Sequence, residues 1–87
     1  MIGWYFHIVE LGANPKIAYG GIAREPVGDR HVLCELLTRD GQPRGAWAIL
    51  SLDTLHFPRV IFYPDRATFD AAVAAENSAA VTARRRL

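Results

Sequence analysis

Three histidines and Cys34 are the obvious candidates for a metal site in this chain. A zinc site needs three or four nitrogen or sulfur donors that converge tetrahedrally. His31 and Cys34 are three residues apart in a segment with strand character, so their side chains are expected on opposite faces. His7 and His56 could approach each other only through the fold. The sequence therefore predicts no metal site and no cofactor, with the histidines in structural roles.

Ser51, Asp53 and His56 include the residue types of an acyl-transfer triad. All three lie within one short segment, whereas the groups of a triad usually come from separate elements. Ser51 also lacks the glycine pattern of a nucleophile elbow. We therefore expect these residues to form a turn, with Ser51 or Asp53 bonded to local backbone amides. No catalytic residue is predicted; an enzyme would have to use one of the histidines as its acid or base.

Arginine is concentrated at the C-terminal end, where Arg84, Arg85 and Arg86 are consecutive. The formal net charge of +1 depends on them, because residues 1–83 carry seven Arg and Lys residues against nine Asp and Glu residues. Domains that bind nucleic acid usually present a basic face, so nucleic acid is not the expected partner. The three arginines are candidate phosphate contacts that would add a weak, salt-dependent attraction.

Aromatic side chains are the candidates for an interaction surface, because they dominate binding hot spots. The candidates are Trp4, Tyr5, Tyr19, Trp47 and Tyr63. Apolar residues and glycine together make up about 55% of the chain, against roughly 45–50% in an ordinary soluble domain. This excess favours self-association. We therefore predict a homo-oligomer, a dimer or larger, with another protein as a second kind of partner.

Strand patterns cover most of the first 63 residues. The N-terminal segment alternates Ile2, Trp4, Phe6 and Ile8 with residues that are also largely apolar, which indicates a strand covered on both faces. Residues 16–25 predict a second strand with a bulge or sharp bend at Gly20-Gly21, where the apolar parity changes. A tight Gly-Gly hairpin is the alternative.

Asp40-Gly41 is the strongest turn signal in the chain and predicts a two-residue type I′ hairpin with Arg39 opposite Gln42. Counted outward, this register pairs Cys34 with Trp47, Leu36 with Gly45 and Val32 with Ile49. That face is apolar throughout and is expected to be core. Pro43 cannot donate to a neighbouring strand, so its own strand is expected at an edge of the sheet.

The last third of the sequence predicts one more strand and a helix. Residues 59–63 form the strand, Asp65 is the expected N-cap, and Phe69 and Val73 lie on one helical stripe that ends near Glu76. The predicted fold class is α+β, with about five antiparallel strands in a strongly bent sheet or small open barrel, followed by one C-terminal helix. Residues 1–77 form a single domain, and residues 78–87 form a frayed, Arg-rich tail.

No apolar stretch approaches the ~20 residues that span a bilayer, and the N-terminus lacks the features of a signal peptide. The expected location is the cytoplasm, with no membrane association. We predict a small, non-catalytic protein-interaction module that self-associates. The alternative is a module that binds single-stranded nucleic acid or a small ligand on the concave face of the sheet.

Overall fold

The chain folds into one five-stranded antiparallel sheet and one helix, in a computed structural model that describes residues 2–13 and 15–85. The elements are β1 (Tyr5–Glu10), β2 (Lys16–Val27), β3 (His31–Leu37), β4 (Pro43–Ser51), β5 (Val60–Tyr63) and α1 (Arg66–Arg85). The strand order is β4-β3-β2-β1-β5, so the sheet is open, with β4 and β5 at its edges. The predicted α+β class is confirmed, and so is the edge position that Pro43 requires.

The turn between β3 and β4 differs from the predicted two-residue loop. Gly41 N donates a hydrogen bond to Thr38 O at 2.9 Å, and Thr38 N donates to Gln42 O at 2.9 Å. Gly41 has a φ of 88°, while Asp40 does not have a positive φ, as a type I′ turn would require at both central residues. The loop is therefore three residues long and closes with a left-handed glycine. Thr38, and not Arg39, lies opposite Gln42.

This turn and a second irregularity between Leu36 and Leu37 shift the β3–β4 register by one residue. The observed pairs include Val32 with Leu50, Cys34 with Ala48, Glu35 with Trp47 and Leu36 with Ala46. The predicted pairs of Cys34 with Trp47, Leu36 with Gly45 and Val32 with Ile49 are wrong. A shift of one residue moves every side chain of a strand to the other face. Trp47 and Ile49 therefore do not lie in the core.

Gly20 and Gly21 lie within the continuous strand β2, so neither the predicted bend nor the alternative hairpin forms there. The irregular pairings of β2 lie on either side of the two glycines, at Ala18 and at Arg24. The glycines serve close packing instead. The Phe69 ring lies where a Cβ of Gly20 would be, at 2.8 Å from it, and the Phe6 ring occupies the equivalent space at Gly21 on the opposite face.

One face of the sheet, the inner face, carries the larger core cluster. Its buried members are Phe6, Ala23, Val32, Cys34, Leu55 and Val60. Among the described residues, no side chain of α1 belongs to this cluster, and Leu55, in the connection between β4 and β5, is its one member outside the strands. A flat sheet face without a covering layer would stay exposed, so this burial requires the sheet to curl toward its inner face.

The other face of the sheet, the helix face, packs against α1. Asp65 caps the helix as predicted, because its Oδ1 accepts a hydrogen bond from Thr68 N at 2.8 Å. That backbone bond also lowers the pKa of Asp65. Phe69 and Val73 are buried against the sheet, as the helical stripe predicts.

The helix extends beyond the predicted end near Glu76 and continues to Arg85. Residues 77–85 contain no glycine or proline to interrupt it, and alanine, which has the highest helix propensity, recurs along the segment. Glu76, in the middle of the helix, contacts both the sheet and the β3–β4 turn. Its carboxylate accepts a hydrogen bond from Ile17 N of β2 at 2.9 Å and forms an ion pair with Arg39 of the turn at 2.7 Å. That residues 78–87 form a separate frayed tail stays a prediction.

Gly20→Ala should destabilise the protein by roughly 1–3 kcal/mol, because the new methyl group overlaps both the Phe69 ring and Thr38 O, which lies at 3.1 Å. The matched control is Gly12→Ala, since no described atom lies within 4 Å of a Cβ at Gly12. Its expected effect is within about 0.5 kcal/mol. Chemical denaturation of both variants measures the difference; equal stabilities would contradict the close packing of α1 on β2.

Candidate functional site

The open edge of β4 presents backbone groups that no strand of the sheet satisfies. Leu52 N donates to Arg30 O at 2.8 Å, which makes these two residues a hydrogen-bonded pair. Hydrogen-bonded and non-hydrogen-bonded pairs alternate along an antiparallel ladder. Counted back from Leu52 through the regular β3–β4 pairs, Leu50, Ala48 and Ala46 turn their N–H and C=O groups toward β3. Trp47 and Ile49 turn theirs outward. Ser51 does so too, but its carbonyl accepts hydrogen bonds from Thr54 N and Leu55 N of the following turn.

Two large apolar side chains stand beside these outward backbone groups. Trp47 is 56% exposed and Ile49 is 58% exposed. Both lie on the helix face, opposite Glu35 and Leu33 of β3, but α1 packs against β1 and β5 at the far side of that face. At the β3–β4 turn the helix does contact this half of the sheet, because Arg66 donates to Gly41 O at 3.0 Å. Among the described residues, however, no element covers Trp47 and Ile49. We call the open edge of residues 46–51 with Leu33, Trp47 and Ile49 the edge patch.

An ion pair separates the edge patch from the helix-covered part of the sheet. Arg24 Nη2 lies 2.6 Å from Glu35 Oε1. Glu35 is paired with Trp47 on one side and Ile22 on the other. The pair is partly exposed, so its own contribution to stability is small, in the range of about 0–1 kcal/mol. It gives the apolar patch a polar boundary of the kind that rims protein interfaces.

The two edges of the sheet are protected to different degrees. Natural proteins blunt edge strands by keeping them short or by adding proline, charged residues and bulges. β5 has four residues and is flanked by Arg59 and Pro64. β4 has nine residues; Pro43, Arg44 and the left-handed Gly45 occupy only its first third. From residue 45 to residue 52 the chain carries no charge.

The structure separates the five predicted interaction residues. Tyr63, Tyr5, Ile22, Glu35 and Trp47 form one row of paired positions across the sheet. Tyr63 and Tyr5 are neighbours, while Trp47 lies at the opposite end of that row, about 19 Å from Tyr63 at the usual strand spacing. Trp4, which is exposed, pairs with Ala23 through its backbone carbonyl. Tyr19 lies under the guanidinium of Arg44, 5.9 Å from its ring centre.

Tyr63 and His7 form a buried polar contact beneath the helix. His7 is fully buried, and its Nδ1 lies 2.9 Å from the Tyr63 hydroxyl. Its Nε2 lies 3.2 Å from Arg39 O. Since a carbonyl oxygen only accepts, Nε2 carries the hydrogen and Nδ1 accepts from the tyrosine. The Phe69 ring covers the imidazole at a centroid distance of 4.0 Å. Both ring nitrogens of His7 are therefore satisfied within the protein, by β5 and by the turn between β3 and β4.

Burial controls the protonation of these groups. Desolvation lowers the pKa of His7, and it raises the pKa of Tyr63. Burial in the inner cluster also raises the pKa of Cys34 to about 11. A thiol of this kind is neutral and unreactive near neutral pH. His7 and Cys34 therefore behave as core residues.

The residue types that suggested chemistry in the sequence do not assemble into a reactive group. Ser51 Oγ accepts a hydrogen bond from Thr54 N at 3.2 Å, the turn role predicted for it. His56 Nδ1 faces Phe57 O at 3.1 Å and does not contact Ser51. Across the described residues, no group of three His, Cys, Asp or Glu side chains could hold a metal ion.

Arg84 and Arg85 are the last two residues of α1, and their side chains lie outside the described part of the structure. Arg86 lies outside the described residues. The role of these three arginines as phosphate contacts therefore stays a prediction. Within residues 2–13 and 15–85, no helix combines the length and apolar character that crossing a bilayer requires.

Ile49 and Leu33 belong to the edge patch but were not predicted from the sequence. The predicted register placed Ile49 in the core, opposite Val32. The signal that could have found Ile49 is the uncharged run from residue 45 to residue 52 next to Pro43, because a proline at a strand edge followed by unprotected apolar residues indicates an open edge.

Comparison with known proteins finds no match to this chain among protein families, curated proteins or solved structures.

Tyr63→Phe should destabilise the protein by about 1–3 kcal/mol, because it leaves the buried Nδ1 of His7 without a donor. The matched control is Tyr19→Phe, which removes a hydroxyl that makes no hydrogen bond within the described residues. Urea denaturation measures both changes. Equal stability of Tyr63→Phe and the unmodified protein would contradict the assigned hydrogen bond.

The stability should fall as the pH drops below 6.5, the ordinary pKa of histidine. The pKa of His7 is lower in the folded protein than in the unfolded chain, so the unfolded chain takes up the proton first as the pH falls. The contribution of neutral His7 to stability is therefore fully present above pH 6.5 and is lost as the pH falls toward the pKa in the folded protein. One proton changes the free energy of unfolding by at most about 1.4 kcal/mol per pH unit. Denaturation at about pH 7.5, 6.5 and 5.5, on either side of the ordinary histidine pKa, measures the loss.

The control for this profile is the double variant His31→Asn/His56→Asn, because both of these histidines are exposed. It should retain the acid sensitivity. A flat profile in the unmodified protein, or a profile that the double variant abolishes, would show that His7 is not the group responsible.

Proposed function

We propose that this protein is a small, non-catalytic protein-interaction module that self-associates through the edge patch. The observation that carries the proposal is β4, a nine-residue edge strand with outward backbone groups and with Trp47 and Ile49 more than half exposed. An unprotected edge is a template for pairing with another strand. Such pairing hydrogen-bonds backbone groups and covers alternate side chains, the two features that β-strand addition uses for affinity and specificity.

The chemistry of the remaining polar residues supports a binding role over a catalytic one. The buried histidine has both ring nitrogens occupied by Tyr63 and Arg39, and the cysteine is buried. Ser51 is engaged in a turn. Catalysis needs a nucleophile or base that is within hydrogen-bonding reach of a substrate. Among the described strand residues, Trp47 and Ile49 are the most exposed large apolar side chains.

The observations favour the edge patch over the concave face as a binding surface. The inner cluster fills the concave face with buried side chains such as Phe6 and Val32. A nucleic-acid strand or a small ligand placed there would have to displace this core. A stacking platform for bases needs exposed aromatic rings along a basic groove, and the charge of residues 1–83 does not supply one.

Trp47→Ser/Ile49→Thr should weaken self-association at least about tenfold, because it removes the two exposed anchors of the edge patch while leaving the core unchanged. Light scattering coupled to size-exclusion chromatography, over a range of loading concentrations, measures the mass. The matched control is Phe57→Ser, which removes an 81% exposed phenyl ring outside the patch. Its association should equal that of the unmodified protein.

Two results would contradict this proposal. One is a monomeric unmodified protein at every concentration tested. The other is an assembly that the Phe57 variant weakens as much as the edge-patch variant does. Circular dichroism of both variants verifies that each remains folded.

A further inference from the structure

We infer that the partner of the edge patch is a second copy of the same chain, and that the two β4 strands pair antiparallel about a twofold axis at Ala48. This inference rests on the proposed function and specifies its geometry. The product is a continuous sheet formed by the five strands of each copy. In it, Trp47 of each copy lies opposite Ile49 of the partner subunit, and the two Ala48 residues lie opposite each other.

The parity of the strand restricts the register. A twofold axis perpendicular to the sheet keeps the helix faces of both copies on the same side, so paired residues must point to the same face. Trp47 and Ile49 both lie on the helix face, whereas Ala48 and Leu50 lie on the inner face with Cys34 and Val32. This condition holds only when the twofold axis passes through a residue of β4, because an axis between two residues would pair side chains from opposite faces. The centres available within the open edge are Trp47, Ala48 and Ile49.

The backbone irregularities select among these three centres. Within two residues of the centre, a pairing at Trp47 would set Gly45 opposite Ile49, and the left-handed φ of 67° at Gly45 interrupts regular strand geometry. A pairing centred on Ile49 would set Ser51 opposite Trp47 as a hydrogen-bonded pair, but the Ser51 carbonyl already accepts hydrogen bonds from Thr54 N at 3.0 Å and Leu55 N at 3.1 Å. The pairing centred on Ala48 uses residues 46–50, all within the regular part of the strand.

The hydrogen-bonding groups agree with a centre at Ala48. Trp47 and Ile49 direct N–H and C=O outward, so each can exchange two backbone hydrogen bonds with its opposite residue in the partner. Ala48 directs its backbone groups inward to β3 and becomes the close, non-hydrogen-bonded pair on the axis. The side chains then form two aromatic to β-branched pairs of Trp47 with Ile49, a favourable cross-strand combination.

Charge also favours an antiparallel pairing of identical strands. Arg44 is the one charged residue of β4. In the register centred on Ala48, the paired residues are 46–50, so Arg44 of each copy lies beyond the end of the paired segment. The two Arg44 side chains are then at opposite ends of the pairing, about 26 Å apart at roughly 3.3 Å per residue. A parallel, in-register pairing would place them side by side and repel.

The extent of this surface sets the expected strength. The pairing joins one short strand and two large side chains of each copy, which is less than the roughly 1,200–2,000 Å² of a standard stable interface. We therefore expect a dimer with a dissociation constant in the micromolar range, and the experiments need concentrations on both sides of that value.

Disulfide trapping tests the register. In a Cys34→Ala background, which removes the cysteine opposite position 48, Ala48→Cys should form a disulfide-linked dimer under mild oxidation. The Cα atoms of a non-hydrogen-bonded pair are about 4.5 Å apart, within the range that a disulfide spans. The matched controls in the same background are Ala46→Cys, whose copies would be about 13 Å apart, and Ala71→Cys on the exposed side of the helix. Neither should cross-link above the level set by random collision.

A second measurement needs no substitution. In an equimolar mixture of isotope-labelled and unlabelled protein, nuclear Overhauser effects between copies should connect the Trp47 indole to the Ile49 methyl groups. A dimer in which the Ala48→Cys variant does not cross-link selectively, or in which the Trp47 indole shows no contact with Ile49 of the partner subunit, would overturn this register and leave the proposed function intact. A protein that stays monomeric at millimolar concentration would overturn both.

Discussion

The packing of Phe69 against the backbone of Gly20 is the constraint on which the arrangement of this fold depends. Because Gly20 has no side chain, the ring reaches the strand and lies among Tyr5, His7 and Tyr63. This contact holds α1 over β1 and β5. Gly21 admits Phe6 on the opposite face, so two aromatic rings close on β2 from both sides. The helix then lies over β1, β5 and the β3–β4 turn, where Glu76 pairs with Arg39, and among the described residues no element covers Trp47 and Ile49.

That division of the sheet explains why the edge patch is available for binding. The core stabilises the fold through the inner cluster and the helix contact, and neither of them uses Trp47 or Ile49. Large apolar side chains that contribute nothing to their own core remain in contact with water unless a partner covers them. The same strand carries outward N–H and C=O groups next to these side chains. Backbone pairing and apolar contact would therefore form in one step when a second strand aligns with β4.

Much of the fold could be predicted from the sequence, because strand alternation, the Asp65 N-cap and the Phe69–Val73 stripe are local signals. The register of the β3–β4 hairpin could not. Asp40-Gly41 fits both a two-residue and a three-residue loop, and the choice depends on whether Asp40 adopts a positive φ, which the sequence does not specify. One residue of difference moved Trp47 from the predicted core to the surface. The buried contact of Tyr63 could not be predicted either, because its partner His7 lies 56 positions away in the chain.

Hydrogen exchange at the backbone of β4 tests the central claim most directly, in the unmodified chain. The amides of Trp47 and Ile49 face the open edge, and the amide of Phe62 faces outward on β5 by the same alternation, counted from the bond between Val9 N and Arg59 O. As the protein concentration rises through the micromolar range, exchange at Trp47 and Ile49 should slow while exchange at Phe62 stays fast. Exchange rates at Trp47 and Ile49 that do not change with protein concentration would contradict the assignment of β4 as the binding edge.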